Sequence, residues 1–105
     1  MDWRVTRTDG RLIGAPLGRV DETTWEAFSA HLTSAVRDAA ANGEKLVIDL
    51  SGLDYMSSRG LRALTIAKRE AGDAVPIQLA APNDRMREIL SISRYDKLFD
   101  VVDSI

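Results

Sequence analysis

The sequence contains no cysteine and a single histidine, His31. Without cysteine there are no disulfides, no thiolate metal sites and no cysteine nucleophile. With one imidazole, a metal site of several histidines is excluded within one chain, and a Ser-His-Asp triad would have to run through His31. No apolar run approaches the ~20 residues that cross a bilayer. The first residues, Met1-Asp2-Trp3-Arg4, lack the apolar segment of a signal peptide. Neither sign of charge dominates: 14 Lys and Arg stand against 16 Asp and Glu, a net charge of −2. Such a balance gives no general attraction to nucleic acid or to an anionic membrane. What is present is 105 residues, 45% of them apolar, enough for one core and one domain spanning residues 1–105. The expectation is a small cytoplasmic domain, without cofactors and poorly equipped for catalysis, that acts as a surface.

The order of elements follows from periodicity. Trp3 to Thr8 reads as a strand, Asp9-Gly10 as a hairpin turn, and Arg11 to Leu17 as the second strand. Pro16 suggests that the far end of that strand lies at an edge or leaves the sheet. Gly18 to Glu22 is a connecting turn, and Thr23-Thr24-Trp25-Glu26 has the spacing of a capping box. Trp25, Phe28, Leu32, Ala35, Val36 and Ala39 then recur at helical spacing up to Asn42-Gly43, a suitable helix end. Lys45 to Leu50 is short, apolar and rich in Val and Ile, as a buried central strand is. Ser51 to Tyr55 reads as a loop. A helix follows from Ser58 to Ala71, a strand from Val75 to Ala80, a short helix after Pro82-Asn83-Asp84, and a last strand from Leu98 to Val102. The order β-β-α-β-α-β-α-β predicts an α/β domain: a mixed sheet of about five strands, opened by an N-terminal β-hairpin and covered by about three helices. Lys45 to Ala80 forms the expected right-handed crossover.

Most of the chemical information lies in Asp49-Leu50-Ser51-Gly52-Leu53-Asp54-Tyr55-Met56-Ser57-Ser58-Arg59-Gly60-Leu61-Arg62. It follows the C-terminal end of a buried strand, where open α/β sheets keep their functional groups. Two serines stand at the start of a helix, and one of them is expected to cap it by accepting a bond from a free backbone N–H. Gly60 in the first turn costs roughly 0.5–1 kcal/mol relative to Ala, and its missing Cβ lets another backbone or a partner come close. A helix start also tolerates an anion, because its N–H groups are unpaired and carry partial positive charge. A phosphate on a serine there adds about −1.5 to −2 charge and need not unfold the domain. Arg59 and Arg62 lie within a turn and are candidate phosphate partners. Local chemistry leaves both a cap and a switch open.

Leu46 through Leu61 resembles the signature of STAS domains of the anti-sigma factor antagonist type: an apolar strand, an Asp-Leu turn, then Ser57-Ser58-Arg59-Gly60-Leu61. Leu17-Gly18-Arg19-Val20-Asp21 is similar to the family's approach to its first helix, and Arg85 to Leu90 to its third helix. The resemblance implies that Ser58, two residues before the glycine, is the phosphate acceptor, with Ser57 as the alternative. It further implies that an anti-sigma factor kinase of the GHKL type phosphorylates the serine, that a PP2C-type phosphatase reverses this, and that the unphosphorylated form binds the kinase. The surface for that partner is expected to include Asp21, Tyr55, Met56, Ser57, Arg59, Gly60 and Arg62. Two positions depart from the family pattern: Ser57 stands where many members have Asp, and Arg59 where a small residue is usual. The family's final helix is expected to be missing or very short here.

The remaining candidates read as structural. His31 is a partly exposed helical residue, Trp25 and Phe28 are core, and Trp3 is either core or a contact at a sheet edge. Asp21 and Asp54 suit turns. The residues Arg59, Arg62, Lys68 and Arg69 do not share one helix face, which argues against nucleic acid. Three functions compete. The first is a non-catalytic, phospho-switched anti-sigma factor antagonist. The second is a constitutive STAS scaffold, such as a subunit beside an ABC-type lipid transporter ATPase or part of a larger signalling assembly. An enzyme using Ser57 or Ser58 is the weakest, because there is no Gly-x-Ser-x-Gly elbow. A nucleotide site lacks a Gly-rich loop.

Overall fold

The computed structural model describes residues 1–105, the whole of the given sequence. Ten elements follow in order: β1 (Asp2–Thr8), β2 (Arg11–Val20), α1 (Trp25–Ala41), β3 (Lys45–Asp49), β4 (Leu53–Met56), α2 (Ser58–Ala71), β5 (Ile77–Ala80), α3 (Asp84–Ile92), α4 (Tyr95–Leu98) and β6 (Asp100–Val102). β1 and β2 form an antiparallel hairpin. Asp9 and Gly10 turn it with φ of 48° and 76°, the positive pair that a two-residue hairpin turn of matching twist requires. The remaining pairings are parallel, and the sheet runs β1-β2-β3-β5-β6 with β4 also beside β2. No helix is long and apolar enough to cross a membrane.

The sheet has six strands, not about five, and the additional strand lies in the segment expected to be a loop. β2 is ten residues long. Its first half pairs with β3 from Arg11 to Gly14, and its second half pairs with β4 from Gly18 to Val20. Leu53 and Met56 of β4 face inward and are buried, while Asp54 is exposed. Pro16 sits between these two ladders. The Gly18 N–H donates to Gly52 O at 2.9 Å, so by the two-residue period of a strand the nitrogen of Pro16 points to the same side. It falls where neither β3 nor β4 needs a donor, so β2 stays an inner strand despite its proline.

All the helices lie on one face. Leu12, Leu46, Ile48 and Leu79 turn toward α1, α2 and α3 and join Phe28, Leu32, Leu64, Met86 and Leu90 in the main core. Each such side chain contributes about 1.5–3 kcal/mol on full burial. The opposite face buries only Ile13, Val47 and Ala80, with Val102 beside them. A fourth helix, the single turn α4, was not expected, and no helix follows β6 in residues 103–105. Trp3 is half-buried rather than a free edge contact. It stacks on His31 with centroids 5.1 Å apart and meets Phe28 edge-on at 6.2 Å. Arg7 ties β1 to the start of β3 by a forked pair on the buried Glu44, at 2.6 and 3.0 Å.

The start of α1 differs from the expected capping box. The Thr23 hydroxyl donates to Asp21 Oδ1 at 2.8 Å instead of bonding the helix. Thr24 is the N-cap, without a side-chain cap bond. Asp21 organises the turn. Its Oδ1 accepts from Thr23 N at 3.0 Å, and its carbonyl accepts from Trp25 N at 2.9 Å. The carboxylate fixes the turn that precedes the helix, and no side chain caps the helix itself.

Candidate functional site

The site begins where β4 passes into α2. Ser57 has extended backbone, with φ −75° and ψ 172°. Its N–H donates to Val20 O at 2.8 Å, which completes the β2–β4 ladder. Its hydroxyl oxygen then accepts from Gly60 N at 3.3 Å, and its carbonyl accepts from Leu61 N at 3.0 Å. Ser57 is therefore the capping serine, fixed on both sides. Ser58 is the first helical residue. It is exposed and its hydroxyl makes no bond within the chain. The N–H groups of Ser58 and Arg59 are also without partners in the chain, as the first turn of any helix leaves them.

Gly60 has an internal reason. A Cβ there would stand 2.5 Å from Met56 Cγ and 2.7 Å from Val20 Cγ1, both in buried side chains. The glycine lets α2 pack on the β2–β4 pair. Gly60 and Met56 are thus inside the fold and position the site from beneath. The close approach inferred from the sequence is made by the protein's own side chains.

The other expected contacts lie on the surface around Ser58. Tyr55 is half-buried under the Arg19 guanidinium, 4.8 Å from its ring centroid. Asp21 Oδ2 lies 3.9 Å from Arg19 Nε. The Thr23 hydroxyl and backbone N–H, followed by the Thr24 hydroxyl and the charge of Arg19, hold the Asp21 carboxyl below the usual carboxylate range. The single Thr24 hydroxyl proton is shared between Arg19 O at 2.8 Å and Asp21 Oδ1 at 3.2 Å, and the oxygen accepts from Asp21 N at 2.9 Å. Arg59 lies 5.1 Å over the Trp25 ring and 3.7 Å from Glu22, an exposed contact with α1 and its leading turn. Arg62 is exposed and has no acidic partner. Arg59 and Arg62 line a groove of about 370 Å³ between α1 and α2, with Trp25, Ser29, Ala63 and Ile66.

One supporting residue had no functional signal in the sequence. Asn83 caps α3 by accepting from Met86 N at 2.9 Å, and its amide also donates to Leu53 O in β4 at 3.1 Å. Its capping role is legible from Pro82-Asn83-Asp84, but its tie to β4, thirty residues away, is not. His31, the only imidazole, is stacked on Trp3. No three His, Asp or Glu side chains form a metal-binding group. The chemistry this arrangement offers is that of a hydroxyl held out at a positively polarised helix start, surrounded by partly engaged cations.

The comparisons with known proteins agree with this architecture. The family model described as Mlab, STAS domain, matches residues 18–103. BtrV of Bordetella bronchiseptica, whose name assigns it to the anti-sigma factor antagonists, is 33% identical over 106 residues, covering 99% of this chain and 88% of that protein. An anti-sigma factor antagonist from Mycobacterium paratuberculosis has the same fold, with a TM-score of 0.87 at 24% identity over 99% of this chain and 86% of that one. The Bacillus cell-fate determinant SpoIIAA, solved in its phosphorylated form, superposes with a TM-score of 0.67 at 18% identity, covering 95% and 90% of the two chains.

Proposed function

The chain belongs to the STAS domain family of anti-sigma factor antagonists, and on that premise we propose that it is a partner-binding switch controlled by phosphorylation of Ser58. The unphosphorylated domain binds an anti-sigma factor that is also a GHKL-type serine kinase. Transfer of phosphate to Ser58 releases it, and a PP2C-type phosphatase restores it. In the transfer, a bond forms between Ser58 Oγ and the γ-phosphorus of ATP. The bond from that phosphorus to the bridging oxygen breaks to leave ADP, and the hydroxyl proton passes to a base on the kinase. The domain supplies no catalytic group of its own. Hydrolysis by the phosphatase returns the hydroxyl and inorganic phosphate.

One observation carries this reading: the two adjacent serines have different states. Ser57 is spent on the Gly60 cap, while Ser58 is exposed and unbonded. A phosphate on Ser58 keeps the cap and places its charge at the favourable end of the helix dipole. One on Ser57 would displace the cap. That a phosphorylated form of SpoIIAA keeps the fold supports a modification that alters a surface rather than a core.

The test is to incubate the purified domain with its candidate GHKL kinase and Mg-ATP, and to map the product by mass spectrometry. One phosphate on Ser58 is expected, kept in Ser57→Ala and absent from Ser58→Ala. Phosphate remaining in Ser58→Ala, or none on the wild type, contradicts the assignment. Stable association with a transport ATPase, unchanged by Ser58→Asp, favours a constitutive scaffold instead.

A further inference from the structure

The groove between α1 and α2 begins at Arg59, the residue after Ser58. Arg59, Arg62, Ala63 and Ile66 recur at the helical spacing that faces α1, and Trp25 and Ser29 meet them from the other side. The lining combines apolar surface with cations in unequal states. Arg59 is already balanced by Glu22 and laid on Trp25. Arg62 is exposed beside Ile66, itself 38% exposed, and has no counter-charge. An unbalanced guanidinium at the edge of an apolar strip complements a carboxylate carried next to an apolar side chain. An acidic amphipathic helix of a protein partner presents that pair on one face, at three- and four-residue spacing.

Ser58 and Arg62 are four residues apart on α2 and so share a face of the helix, close enough for their side chains to pair. The serine hydroxyl offers Arg62 only a neutral acceptor, but a phosphate has up to two negative charges and three acceptor oxygens. Arg59 already has Trp25 and Glu22 beside it, so Arg62, which has no counter-charge, gains most from a phosphate. We propose that the α1–α2 groove docks an acidic amphipathic helix of the partner, with Arg62 holding its carboxylate, and that a phosphate on Ser58 disarms the groove by drawing Arg62 to itself. The regulation rests on the Ser58 switch proposed above; the groove's preference for an apolar carboxylate does not.

The experiment separates the two. The probe is 4-phenylbutyrate, a carboxylate on an apolar body, titrated into the ¹⁵N-labelled full chain and followed at the Trp25 indole N–H. Four forms are compared: wild type, Arg62→Gln, the chain with phosphoserine installed at position 58 during synthesis, and the combination. A fragment of this size is expected to bind with a dissociation constant on the order of millimolar. Arg62→Gln is expected to weaken it about two- to fivefold, the range of an exposed ion pair. Phosphoserine 58 weakens it at least as much, and the loss it adds in the Arg62→Gln background, where only repulsion of the probe is left, is smaller than the loss it causes in the wild type. Absence of a saturable shift at Trp25, or equal binding by wild type and Arg62→Gln, overturns the groove. Equal binding by the phosphorylated and unmodified chains, or additive losses in the combination, overturns the capture of Arg62. No kinase is needed, so a failure here leaves the Ser58 reading to its own test. Failure of kinase labelling leaves the groove result standing.

Discussion

The two long helices start in opposite ways. At α1, the Asp21 carboxylate, the Thr23 and Thr24 hydroxyls and the Arg19 carbonyl satisfy one another, and the turn is closed by its own hydrogen bonds. At α2, one serine makes one cap bond, and the next serine and two backbone N–H groups face solvent. α1 packs on β2 and β3, and α2 packs on β4 with Gly60 against Val20 of β2. A start that is internally saturated has little left for another molecule. A start that is left open, but fixed from beneath by Val20, Met56 and Gly60, offers a rigid place to add charge.

The sharpest way to break this contrast is at its buried support. Gly60→Ala adds a methyl group where Met56 and Val20 already stand. Overpacking costs about 1–3 kcal/mol, against a helix-propensity gain of roughly 0.5–1 kcal/mol. A net loss of stability is expected in urea unfolding; an unchanged or raised midpoint would show that the α2 start can shift freely. Next comes the cap. Ser57→Ala is expected to cost about 0.5–1 kcal/mol, the low end for an N-cap because the bond is long at 3.3 Å. Ser58→Ala should lie within about ±0.5 kcal/mol of wild type, as an exposed substitution does, and a larger loss would mean that Ser58 has a structural bond.

The closed start of α1 has a pH signature instead. The Asp21 carboxyl is held below its usual range by Thr23. A depressed carboxyl contributes stability that is fully present above its unfolded value and is lost as pH falls through the folded value. The stability difference between wild type and Asp21→Asn should therefore be constant near neutrality and shrink on acidification below the ordinary carboxylate range. A difference that grows on acidification contradicts the hydrogen-bond assignment.

Much of this architecture is legible in the sequence, for identifiable reasons. The hairpin is announced by Asp9-Gly10, α1 by its stripe from Trp25 to Ala39, and β3 by its compact Val-Ile run. β4 escapes because four residues containing Asp54 carry no strand pattern of their own. Their pairing depends on β2 extending beyond β3, which its proline argues against until the break between the ladders is seen. The Thr23–Glu26 spacing fits a capping box, but Asp21, two residues earlier, is a stronger acceptor and takes the threonine.

The candidate site divides in the same way. That one of two serines caps α2 follows from local preference. Which one does so is set by Val20 O gripping the Ser57 backbone, a contact between distant positions. Gly60 stands out as costly in the sequence, but only the packing shows that the approaching groups are internal. Arg59 and Arg62 look equivalent in sequence. Trp25 and Glu22, from another helix and its leading turn, make them different.

Charge added at the open start of α2 should change what the surface binds without changing the fold that carries it. The most direct measurement is calorimetric titration of a GHKL-type anti-sigma kinase with the unmodified domain and with the same domain carrying phosphoserine at position 58, alongside their thermal unfolding. The unmodified domain is expected to bind, the phosphorylated domain to bind at least tenfold more weakly, about 1.4 kcal/mol, and their melting curves nearly to coincide. Equal binding by the two forms, or a phosphorylated domain that has lost its cooperative unfolding, would contradict it.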